Sequence, residues 1–316
     1  MRGFKKVTSL LAVSTSLLAL GLGAPALAQS ATAIPGVVAA GITPELVRDN
    51  FDNTEGPVGA ADGSLYFSDT NGNLTYHMDL AGKFEVVRRD TTRANGIAFT
   101  RNGEMVWADG DGPRLSVGKP GGPVTQLTDG FIDGRKFIQP NDLIADDKGG
   151  IYFTDPGPRP VVPGRPTWVG YIPTGSKFAV ILDKEDPRPN GITLTPDGKT
   201  LLVDNTIGNF IFAYDVQADG TVKNKRNYVQ LHDIKAGEES GADGMGMDRD
   251  GRLYVTTVRG IQIFDKTGKY LGTIKVPRQP SNVAFAGPDK HTLYISARQG
   301  LYRIRLEAQG PDRLGK

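Results

Sequence analysis

Along this chain, apolar residues come in short runs separated by polar and turn-forming residues. The stretch QPNDLIADDKGGIYFTDP, residues 139–156, shows the unit: an Asn-Asp pair, a short apolar run, a Gly-Gly turn, and a second apolar run ending in Asp. Such runs predict a strand, a tight turn and a second strand. The unit recurs six times, as EGPVGAADGSLYFSD from Glu55, NGIAFTRNGEMVWAD from Asn95, NDLIADDKGGIYFTD from Asn141, NGITLTPDGKTLLVD from Asn190, DGMGMDRDGRLYVTT from Asp243 and NVAFAGPDKHTLYIS from Asn282. Eight places after the first residue stand Gly63, Gly103, Gly149, Gly198 and Gly251, where a hairpin turn calls for positive φ. Fourteen places after it stand Asp69, Asp109, Asp155 and Asp204, with Thr257 and Ser296 in the other two copies. The aspartates are expected to hold the backbone where the second strand ends.

The copies begin 39 to 53 residues apart. That spacing suits a four-stranded unit whose outer strands come from the runs between copies, such as KFEVVRR, NFIFAYDV and GIQIFDK. The predicted fold is all-β, a six-bladed β-propeller forming one domain over residues 29–316. Pairing of LYRIRL, residues 301–306, with a strand from the N-terminal side is expected to close the ring and remove the exposed edge.

Composition agrees with an all-β body and narrows the chemistry. The 41 Gly and 21 Pro are spread along 316 residues, as many tight turns require. Cysteine is absent, which excludes disulfides, thiolate metal sites and a cysteine nucleophile. The opening MRGFKKVTSLLAVSTSLLALGLGAPALAQ has a basic start, an apolar stretch and small residues before Ala28, the pattern of a secretory signal peptide over residues 1–28. The mature protein is therefore expected to be periplasmic or secreted, without membrane contact once the leader is cleaved. Loss of Arg2, Lys5 and Lys6 with the leader takes the net charge from +2 to −1, which argues against nucleic acid as a partner.

In a propeller the first residues of the six copies stand at one height around the channel: Glu55, Asn95, Asn141, Asn190, Asp243 and Asn282. Each carries a side-chain carbonyl or carboxylate oxygen. Local turn chemistry favours Asn and Asp before a strand, yet does not favour the longer Glu55. A ring of oxygens with two formal negative charges suits a hard divalent cation, with calcium expected and magnesium, manganese or zinc as alternatives. The histidines His77, His232 and His291 lie in outer segments, where surface or packing roles are expected. No G-x-S-x-G elbow, Walker loop or H-E-x-x-H helix is present.

The motifs EGPV, PNDLIADDKGGIYFTDP, PNGITLTPDGKTLLVDNT, ADGMGMDRDGRLYVTT and SNVAFAGPDKHTLYISARQGLYRIRL resemble the gluconolactonase and senescence-marker-protein (regucalcin) family. The resemblance covers essentially all of the mature chain. It implies a six-bladed propeller with a divalent metal, often calcium, at the channel mouth, and hydrolysis of sugar lactones or related esters. By position, Glu55, Asn190 and Asp243 match the family's metal ligands. Asn141 matches a residue that binds metal in some relatives and substrate in others. Asn95 is a further substrate-binding candidate, and Asp243 is the candidate to orient or deprotonate the attacking water. Ile138 stands where many members have Asn, and Gln139 where regucalcin-like members have Arg. These departures, at positions expected to touch substrate, predict a preference for small or apolar-substituted lactones. Two other readings share the scaffold: a phosphotriesterase-like hydrolase, and a periplasmic propeller that binds a sugar or protein around a structural metal.

Overall fold

Inner strands buried on both faces and outer strands open to solvent arrange the chain as sheets stacked around an axis. The computed structural model describes residues 3, 32–158, 160 and 162–312; the leader expected at 1–28 lies, Gly3 apart, outside them. Among the described residues are six four-stranded antiparallel sheets. The first comprises Thr54–Gly59, Leu65–Asp69, Leu74–Met78 and Phe84–Arg89, in that order from axis to rim. The second begins with Ala94–Phe99 and Met105–Asp109, the third with Leu143–Ala145 and Ile151–Asp155, the fourth with Pro189–Leu194 and Thr200–Asn205, and the fifth with Met245–Met247 and Leu253–Thr257. The sixth combines Asn282–Ala286, Thr292–Ala297 and Gly300–Arg305 with Glu45–Arg48 from the other end of the chain, Leu46 pairing with Tyr302. No helix is present among the described residues, and the architecture is the expected six-bladed β-propeller, closed by the expected strand.

The hairpin glycines behave as their spacing requires. Gly63, Gly103, Gly149, Gly198 and Gly251 all have φ between 67° and 92°. In the sixth copy the equivalent residue is Lys290, which adopts the same left-handed conformation at φ 53°. The apolar side chains meet between neighbouring sheets. Ala98, Val106 and Leu115 of the second blade pack with Leu143, Phe153 and Trp168 of the third. Ile34, Val37 and Val38, ahead of the closing strand, pack on Ile263 and Ile274 of the fifth blade and Ile295 and Ile304 of the sixth.

One element has no counterpart in the repeats. Between the second and third blades, Phe131–Ile132 and Arg135–Lys136 form a two-stranded hairpin, and Ile132 bridges Ala179 on the third blade.

A ring of oxygen donors at one end of the channel

The first residues of the six copies are linked by a closed circuit of contacts between neighbouring inner strands. Gly56, after Glu55, lies so close to the Asn95 carbonyl that a Cβ would collide with it. The amide of Gly96 donates to the carbonyl of Asn141 at 2.8 Å. The hydroxyl of Thr154, on the third blade, donates to the carbonyl of Asn190 at 2.6 Å. Gly191 likewise abuts the carbonyl of Asp243, and the amide of Gly244 donates to Ser281 at 2.6 Å. The Ser281 hydroxyl donates to the carbonyl of Thr54 at 3.0 Å, returning to the start.

Glycine at the second place permits this approach. The ladders also break here: register shifts fall between Glu55 and Val58, between Ala94 and Ile97, and between Pro189 and Ile192. Such bulges release a residue from its pleat and re-aim its side chain. Glu55, Asn190 and Asn282 are buried, whereas Asn95, Asn141 and Asp243 are half-buried.

The electrostatics of the ring are unbalanced without a cation. Burial pushes the Glu55 carboxyl well above the usual carboxylate range, and the negative charge of Asp243 pushes it further, against the pull of Arg298. Asp204 is raised in the same way, by burial and then by Asp243. The Asn190 amide nitrogen donates to Thr206 at 3.0 Å, while its Oδ1 is buried without a hydrogen-bond partner; Asn95 Oδ1 is equally orphaned. Orphaned oxygens and crowded carboxylates are what a hard cation would satisfy, so these residues fit a divalent metal. Among the described residues there is no group of three or more His, Asp or Glu side chains placed to hold a metal, so any such site draws on amide oxygens as well as two carboxylates.

The other expected residues divide. Asn282 uses its Oδ1 to accept from the amide of Val283 at 2.9 Å and fills the space over Gly244, a packing role. Asp155 accepts from the amides of Ile138 at 2.6 Å and Gln139 at 2.9 Å, which fixes the approach to Asn141. The Gln139 side chain lies over Gly110, and Ile138 packs against the apolar cluster of the third blade rather than standing in the ring. Asp69 holds the amides of Asp52 and Asn53 as expected of its place in the repeat, but Asp109 binds Arg88, Arg114 and Ser116 side chains. The histidines serve packing and surface contacts: His77 stacks on Tyr66, His232 on Tyr270, and His291 meets the carbonyl of Leu306.

Two residues near the ring have roles that the repeat did not reveal. Asp142 is buried and accepts from the amides of Leu143 at 2.9 Å and Ile192 at 3.3 Å, tying the third blade to the fourth. It occupies the second place of its copy, where four others have Gly, and that exception was the available signal. Arg298 has φ 57°, and its carbonyl accepts from the amide and hydroxyl of Thr54 at 2.6 and 3.0 Å, next to Glu55. Lying outside the repeat unit, it gave no signal.

The sequence matches the family model described as the SMP-30/Gluconolactonase/LRE-like region over residues 53–299. A gluconolactonase of Zymomonas mobilis is 27% identical over 84% of this chain and 82% of its own. A regucalcin of Oryctolagus cuniculus is 32% identical over 43% of this chain, a match that spans 48% of that protein's length. Among solved structures, a gluconolactonase from Xanthomonas campestris superposes with a TM-score of 0.73 at 26% identity, covering 83% of this chain and 89% of the other.

Proposed function

This chain belongs to the SMP-30/Gluconolactonase/LRE-like family, and from that membership together with the ring at its channel end we propose that it is a divalent-metal-dependent lactone hydrolase. The similarity to gluconolactonases over most of both chains supports lactones as the substrate class. The observation that carries metal dependence is the orphaned amide oxygen of Asn190 beside a buried Glu55 crowded by Asp243. Glu55, Asn141, Asn190 and Asp243 would hold the ion, and an all-oxygen donor set favours calcium. When bound, the ion supplies Lewis-acid polarisation of the lactone carbonyl.

The chain's own residues supply the remaining chemistry. Asp243, half-buried and so reachable by water, orients the attacking molecule and accepts its proton as the new C–O bond forms. As the ring C–O bond breaks, the same carboxyl returns that proton to the leaving alkoxide, and the product is a hydroxy acid. Asn95 and Asn141, also half-buried, offer amide N–H groups to the substrate. The leader pattern of residues 1–28 supports export to the periplasm or the medium.

A panel of γ- and δ-lactones tests this, assayed before and after chelation and again with calcium restored. Hydrolysis should be lost on chelation and recovered with the ion. In Asp243→Asn, turnover should fall at least a hundredfold, and calcium should raise the melting temperature less than in wild type, because stabilisation by a ligand of the folded state grows with the logarithm of its concentration over Kd. Full turnover in chelator would remove the metal from the reaction, and full activity of Asp243→Asn would remove that residue.

A further inference from the structure

Beside the ring, at the same end of the third blade, lies an open groove of about 410 Å³ lined by Arg135, Lys136, Phe137, Ile138, Arg165 and Trp168, with Gly164 and Pro166. Its position follows from the register. Trp168 opens the third strand of the blade opposite Asp155, and the Asp155 carboxylate holds the amides of Ile138 and Gln139. Ile138 is three residues from Asn141, so the groove opens within ~11 Å of the ring by the reach of an extended chain.

The floor is apolar: Phe137, Trp168 and half-buried Ile138 line it where the core of the third blade comes to the surface. The rim is cationic: Arg135, Lys136 and Arg165 are all exposed, and no carboxylate lines the groove. Most arginines of the described chain are ion-paired, as Arg88, Arg278 and Arg305 are with Asp109, Asp49 and Asp289. Among the described residues, none of the three rim cations has an ion pair. The hairpin that carries Arg135 and Lys136 is the element absent from the repeats, and the loop that carries Arg165 is the long connection between the second and third strands of the blade.

We propose that this groove is a substrate subsite that takes an apolar substituent ending in a carboxylate, so that the preferred lactones are those bearing an acidic side chain. The proposal rests on the lactone hydrolase reading above. An apolar stem covers the aromatic floor, and its anionic end meets unpaired cations on the rim. The unpaired rim cations draw the anionic end outward, away from the ring, and leave the lactone carbonyl over Asn141. Ile138 then serves the stem rather than a sugar hydroxyl.

The test compares a γ-lactone carrying a carboxyalkyl chain with its methyl ester, which has the same shape without the charge. Both are assayed in the calcium-supplied full-length protein and in the triple variant Arg135→Gln, Lys136→Gln, Arg165→Gln. Wild type should favour the acid by roughly tenfold in kcat/KM, the order that three exposed cations can supply, with the difference residing in KM. The variant should lose that preference while hydrolysing the methyl ester within twofold of wild type. High salt should erase the preference in wild type as well. Equal rates on acid and ester in wild type, or equal losses on both in the variant, would overturn the subsite. If no lactone is turned over at all, the hydrolase reading fails separately, and calorimetry with 5-phenylpentanoate still decides the groove. Binding by wild type that weakens about tenfold in the variant supports it; no binding by wild type overturns it.

Discussion

A single buried carboxyl shows how position decides chemistry in this chain. Asp186 lies at the start of the fourth blade, four residues before Asn190, and burial pushes its pKa up to about 7 despite a hydrogen bond from the amide of Arg188. Its folded-state pKa is raised above the ordinary 3.8, so the folded protein holds a proton that the unfolded chain releases. The stability associated with it is therefore full below pH 4 and declines as pH rises through about 7, by up to ~4 kcal/mol for a shift of this size. Asp186→Asn should show little difference from wild type at pH 4 and be more stable by a few kcal/mol at pH 8, measured by urea unfolding. A difference that does not change with pH would mean that Asp186 is ionised in the folded state. At this scale the sequence was readable where residues repeat. Glu55, Asn95, Asn141, Asn190 and Asp243 could be placed in one ring because six copies align. Asp186 and Arg298 could not be singled out, since their burial and charge environment arise only when different blades meet.

Strands and turns were the most legible level, because Gly and Asp recur at fixed offsets and apolar runs alternate with turn residues. What escaped was the hairpin at 131–136, which belongs to one connection and repeats nowhere. The glycines at the two fixed places of the repeat unit nevertheless do different jobs. Gly103, in a hairpin turn at φ 74°, has open space around its Cα, so Gly103→Ala should cost only the left-handed penalty of ~1–2 kcal/mol. Gly191, on an inner strand, faces the Asp243 carbonyl and the Asp204 carboxylate where a Cβ would go. Gly191→Ala must push one blade off the next. It should lower the melting temperature well beyond Gly103→Ala and reduce lactone turnover by displacing Asp243, whereas Gly103→Ala should leave turnover intact. Thermal unfolding and kinetics on both variants check this, and equal effects would mean that the inner strands yield more easily than their spacing implies.

For the whole molecule, ring closure sets the terms. The expectation that the C-terminal run would pair with an N-terminal strand was correct, because a propeller has a last edge to cover and the chain had a spare strand at each end; the pairing is antiparallel. Closure also has a kinetic side. Glu45 and Arg303 form an ion pair across 258 residues of sequence, and the segment before Glu45 returns to the C-terminal end, the amide of Glu307 donating to the carbonyl of Val37 at 2.8 Å. Each of the other five blades is built from neighbouring sequence, whereas the sixth waits for the two ends of the chain to find each other. Joining ends so far apart carries the largest loop-closure entropy in the molecule, and contacts of long sequence separation slow folding. A circular permutant carrying residues 32–49 on a short linker after Asp312, with its new start at Asn50, would make the sixth blade local. It should refold severalfold faster than the native order. It should also unfold faster, because a ring whose last blade no longer joins the two ends can part between the sixth blade and the first. Stopped-flow refolding and unfolding of the two orders measure both rates; the same refolding rate in each would put the slow step elsewhere, in the packing of one blade against the next.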